Sequence, residues 1–64
     1  MYIKYKTGTI LNQKHMLCDD GSFRVDIDMG IITAIPVQYS IDGITYLEGT
    51  LKQFGDGSVY LYEN

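Results

Sequence analysis

Sixty-four residues carrying a formal charge of −3 make one domain, residues 1–64, and no more. So short a chain hides only about 60% of the surface its unfolded form exposes, so it leans on tight packing, staples or self-association. A single cysteine, Cys18, excludes an internal disulfide, and His15 and Cys18 alone fall short of the four ligands of a structural zinc site.

Alternation of apolar and polar residues begins at once. Over 2–6, Ile3 and Tyr5 fall on one face and Tyr2, Lys4 and Lys6 on the other, which predicts a strand with its tyrosine and lysines outward. A second strand is predicted over 9–18, long enough to bend near Asn12, with Cys18 at its end as a small buried hydrophobe. Asp20-Gly21 then turns the chain into "SFRVDID" (22–28). There Phe23, Val25 and Ile27 share one face, and Arg24, Asp26 and Asp28 share the other.

The segment 31–40 is apolar on both faces. Ile31, Thr33, Ile35, Val37 and Tyr39 line one side, with Ile32, Ala34 and Pro36 behind them. Proline cannot donate a ladder hydrogen bond, so this strand is expected to be an edge at Pro36 or to carry a bulge there. Strands over 44–53, with a bend near Gly49, and over 58–63 complete the chain. In the last of these Val59 and Leu61 face inward and Tyr60 and Tyr62 outward.

Asp-Gly occurs three times, at Asp20-Gly21, Asp42-Gly43 and Asp56-Gly57, each between strand-like runs. A type I′ hairpin turn needs positive φ at both central residues, which Gly adopts freely and Asp tolerates, so each predicts such a turn. The repeated Asp-Gly-Ser phrase, at 20–22 and 56–58, is therefore punctuation rather than a ligand loop. Alanine occurs once, β-branched and aromatic residues abound, and no 3.6-residue apolar period lasts three turns. The fold class is all-β with little or no helix. An antiparallel meander of about six strands is expected to curl into a small barrel or two-sheet sandwich, comparable in size to SH3 or OB domains.

Candidate chemistry is sparse. Asp19, Asp20, Asp26 and Asp28 are four nearby carboxylates, but a calcium loop needs six or more oxygens on a tight scaffold. A solvated face on which Asp26 and Asp28 meet Lys4, Lys6 or Lys52 explains them better. His15 and Cys18 stand three apart, on opposite faces of a strand, with no oxyanion-binding elbow beside them. No phosphate loop, dinucleotide fingerprint or zinc-protease helix is present. No enzyme activity, metal or cofactor is expected.

Tyrosine offers a large rigid face with a polar tip, a combination favoured in protein contacts. First and last strands often meet in a closing barrel, which would gather Tyr2, Tyr60 and Tyr62 into one patch. These three, with Ile32 on the second apolar face, are the candidate interface residues. The expected partners are another copy of the chain, with a dimer favoured, and another protein. A viral or mobile-element inhibitor that occupies a host defence protein fits a compact acidic chain of this kind. The alternative is a small barrel that binds RNA or single-stranded DNA through Lys4, Lys6 and Lys14, although the net acidity argues against it. A structural subunit of a larger assembly is the third reading. No run approaches the ~18 apolar residues of a membrane span, and "MYIKYKTGT" lacks a signal-peptide core. With a single thiol as well, the expected compartment is the cytoplasm.

Overall fold

The computed structural model describes residues 1–27 and 34–64. Its strands are β1 (Tyr2–Lys4), β2 (Ile10–Asn12), β3 (His15–Leu17), β4 (Phe23–Val25), β5 (Ala34–Ser40), β6 (Leu47–Gln53) and β7 (Val59–Glu63). All pair antiparallel in one sheet of order β2-β1-β5-β6-β7-β4-β3. No helix occurs among the described residues.

The all-β class stands as predicted, while the strand order does not follow a simple meander. Only β5, β6 and β7 lie side by side in chain order, and the hairpins β1–β2 and β3–β4 flank them. The predicted strand 9–18 is two strands, broken at Gln13-Lys14, where the chain leaves one rim of the sheet and begins the other. The bend expected near Asn12 is this crossing. By contrast β6 runs unbroken through Gly49. That glycine is there for packing: an added Cβ would lie 3.0 Å from both Leu61 Cδ1 and Tyr39 Cδ1.

Curling turns the sheet into a half-barrel. Phe23 on β4 comes within 6.4 Å, ring to ring, of Tyr39 on β5, although β6 and β7 separate their strands. The concave face holds the core of Met1, Ile3, Val25, Val37, Tyr39, Leu51, Val59 and Leu61, with Tyr5, Phe23, Ile27 and Ile35 packed against it. Those positions follow the predicted alternation, because a side-chain period of two places every second residue on one face. Pro36 pairs with Thr50 of β6, whereas β1 reaches only as far as Gln38. The strand is thus locally an edge at its proline, as its missing N–H requires.

Hairpin chemistry differs from the type I′ expectation. Positive φ is confined to glycines among the described residues, so no Asp adopts it. At 18–22 the Gly21 N–H donates to the Cys18 carbonyl (3.1 Å) and the Cys18 N–H to the Ser22 carbonyl (2.8 Å). At 54–58 Phe54, Gly57 and Ser58 repeat this at 2.9 Å for both bonds, and Gly21 and Gly57 share φ of 88°. These are three-residue loops: a type I turn followed by a left-handed glycine that makes a bulge. The loop from Tyr5 to Thr9 has the same pair of backbone bonds, with Gly8 in the glycine position. Thr-Gly-Thr there takes the place of Asp-Gly-Ser, so the same turn forms without an Asp-Gly pair.

Asp42-Gly43 is no tight turn at all. It lies in the six-residue connection 41–46 between β5 and β6.

Candidate functional site

Each tyrosine of the expected patch has its own intramolecular neighbour. β1 and β7 are separated by β5 and β6, so the first and last strands do not meet, and Tyr2 is not brought to Tyr60 and Tyr62. The Tyr2 ring instead lies against Gly43, where an added Cβ would approach its Cε2 to 3.1 Å. Tyr60 and Tyr62 do point away from the core and are half-buried. Tyr60 meets Phe54 edge-on at 5.4 Å and stands opposite Lys52 and Arg24, while Lys52 Nζ sits 5.6 Å from the centre of the Tyr62 ring. Ile32 and Asp28 lie outside the described residues.

The lysines of the nucleic-acid alternative are also divided. Lys4 and Lys6 border a cleft of about 280 Å³ with Tyr5, Pro36 and Glu48. Lys14 borders a different cleft, of about 320 Å³, with His15, Arg24 and Asp26. Asp26 accordingly faces Lys14 rather than Lys4, Lys6 or Lys52; its N–H donates to the Lys14 carbonyl at 2.8 Å. The lysine pairing expected for Asp26 fails because β4 lies between β7 and β3, so that β7 separates it from Lys52 on β6 and β5, β6 and β7 separate it from β1.

The acidic turns are structural. Asp20 Oδ1 accepts from the Ser22 hydroxyl (2.6 Å) and N–H (2.9 Å), and these bonds hold its carboxyl below the usual carboxylate range. Asp56 and Ser58 repeat the arrangement with the same effect. Asp42 Oδ1 takes the N–H groups of Ile44 and Thr45 and the Ser40 hydroxyl, which lower its pKa to about 2. Among the described residues no three His, Cys, Asp or Glu side chains converge on a metal-sized site. Cys18 is half-buried rather than buried, because it closes a surface turn instead of ending a core strand.

The fold leaves apolar side chains open at its rim, besides Ile41, Ile44, Leu47 and Phe54 at the ends and connections of the central strands. Every residue of β2 and β3 is exposed, including four large apolar side chains: Ile10 at 48%, Leu11 at 44%, Met16 at 63% and Leu17 at 65%. Both strands stand at the ends of the sheet order, each with one side unpaired by another strand among the described residues. The crossing between them is pinned by Met1, whose ammonium donates to the Gln13 carbonyl (2.9 Å) and lies 3.0 Å from His15 Nδ1. The backbone hydrogen bonds show which groups of β3 point outward. Lys14 and Cys18 bond toward β4, at Asp26 and Ser22, so the alternation of an antiparallel ladder turns the N–H and C=O of His15 and Leu17 to the open side.

Composition marks this segment, although it holds neither the carboxylates nor the tyrosines of the expected sites. Residues 9–18, "TILNQKHMLC", contain none of the chain's eight acids. Ile10-Leu11 and Met16-Leu17 are adjacent apolar pairs, and on a strand two neighbours cannot both face the same core.

Comparison with protein-family models, curated proteins and solved structures returned no match to this chain.

Proposed function

We propose that the protein is a non-enzymatic binding module that acts by offering the open edges of its sheet to another polypeptide. The carrying observation is the exposure of Ile10, Leu11, Met16 and Leu17 on the two rim strands. Natural sheets blunt such edges with charge, proline or a covering element, because an unpaired edge is a template for a further strand. A guest strand would gain backbone hydrogen bonds from the edge and specificity from alternate side chains. Occupation of a partner's surface, rather than turnover of a substrate, is the mode of action.

A doubly charged variant, Leu11→Lys/Leu17→Lys, tests this. Both positions are solvent-exposed, so circular dichroism should remain that of the parent. Tagged parent and variant are purified from the cells that naturally make the protein. A protein that accompanies the parent in stoichiometric amount and is lost from the variant is the expected result. Identical companions, or none with the parent, would end the reading.

A further inference from the structure

Of the two rims, β3 has the character of a surface built for its own copy. It is flanked by Lys14 at one end and by Asp19 and Asp20 at the other. Laid antiparallel on itself, such a strand sets the basic end of each copy beside the acidic end of the other. The β2 rim lacks this property, with Lys6 before it and Lys14 after it and no acid between. Self-pairing there would bring like charges together. We infer that two copies associate edge to edge through β3, related by a two-fold axis at Met16, in one continuous antiparallel sheet. This rests on the reading of the rim strands as contact surfaces and names the occupant of one of them.

Backbone geometry selects the register. The outward N–H and C=O groups of β3 belong to His15 and Leu17, so these must exchange hydrogen bonds: His15 with Leu17 of the other copy, and Leu17 with its His15. A register centred one pair earlier would use the outward groups of Gln13. Its N–H and C=O are already engaged by Met1. A register centred one pair later would need Asp19, which lies in the turn. In the surviving register Met16 faces Met16 as a non-hydrogen-bonded pair, with side chains at their closest cross-strand separation. Leu17 of each copy comes over the edge-on pair His15 and Phe23 of the other, whose rings are 5.6 Å apart.

The test is equilibrium sedimentation of the purified chain, supported by targeted cross-linking. The parent should sediment as twice 7.3 kDa at micromolar concentration. Met16→Lys sets two ammonium groups opposite one another, and should weaken the dimer at least about tenfold. Lys14→Glu should weaken it, and Lys14→Glu combined with Asp19→Lys/Asp20→Lys should restore it. In a Cys18→Ser background, Met16→Cys should form an intermolecular disulfide under mild oxidant, since directly opposed Cα atoms about 4.5 Å apart lie in the disulfide range. Leu11→Cys in the same background should not. A monomer at every concentration overturns the inference, as does a dimer cross-linked through Leu11→Cys and not Met16→Cys. A monomer whose natural companion protein is still lost in Leu11→Lys/Leu17→Lys would overturn the self-pairing alone and leave the edge-binding reading standing.

Discussion

The middle of the sheet and its rim are built to different rules. β5, β6 and β7 are the longest strands, each has a neighbouring strand on both sides along part of its length, and they contribute Val37, Tyr39, Leu51, Val59 and Leu61 to the core. β2 and β3 span three residues each and bury none of them. The chain thus concentrates its stability in a central meander, while the acid-free rim segment exposes Ile10, Leu11, Met16 and Leu17 and the β5–β6 connection exposes Ile41 and Ile44. Opening free energies differ across a fold in the same way, lowest where few apolar contacts hold an element.

The largest effect expected from that difference separates Leu51 from Leu17. Leu51 is fully buried and opposes Leu61 and Ile35. Leu51→Ala removes its packing and leaves a cavity, a loss of about 2–5 kcal/mol. In so small a domain this is a large part of the total. Leu17→Ala removes an equally large side chain from the surface, and in dilute solution should stay within about 0.5 kcal/mol of the parent. Chemical denaturation of the two variants measures both. Comparable losses would erase the distinction between middle and rim.

How far the sequence could carry this picture depends on what each feature rests on. Alternation is local, so the inward faces of "SFRVDID" and "SVYLY" were legible: Val25, Val59 and Leu61 are buried where expected, and Tyr60 and Tyr62 point away. Glycine at the hairpins was legible too. Turn type was not, because Asp-Gly is compatible with two loop lengths, and the choice lies with the residues that close the ladder around it. Strand order was hidden for another reason. Whether β1 lies beside β7 or β5 is decided by how the whole sheet curls, and no pair of residues encodes that alone. The tyrosine patch rested on the wrong neighbour. The rim segment was the missed signal, readable from its adjacent apolar pairs and its lack of acids.

A smaller effect, of opposite sign, is expected at Gln53. It ends β6 opposite Val59, and its Oε1 is buried with no hydrogen-bond partner among the described residues. A buried acceptor left unpaired keeps its desolvation penalty without compensation. Gln53→Met matches its length and removes the orphan, and should raise stability by about 1 kcal/mol. The middle of the sheet would then be improvable at a polar position, whereas exposed Asn12 on the rim should respond little to the same exchange. A loss of stability in Gln53→Met would mean that the amide supports the sheet in a way its geometry does not display.

The last contrast is set by acid. Asp42 lies in the loop that joins the two longest central strands, and Asp20 in the turn that joins β3 to β4 near the rim. Asp42 accepts from two backbone N–H groups, of Ile44 and Thr45, and from the Ser40 hydroxyl, whereas Asp20 accepts only from Ser22. Both folded-state pKa values lie below the unfolded one, so each carboxylate stabilises the fold above its unfolded pKa and loses that contribution as pH falls. For Asp42 the window runs from its ordinary 3.8 down to about 2. Amide chemical shifts read this directly. As pH is lowered, Ser22 and Ser58 should report protonation of Asp20 and Asp56 first, and Ile44 and Thr45 should follow with a midpoint near that lower limit. Asp42→Asn should abolish the late step, and should loosen the loop that holds Gly43 against Tyr2. If the Ile44 and Thr45 amides instead titrated together with those of Ser22, the three-donor clasp would hold its carboxylate no more tightly than the two-donor turns do.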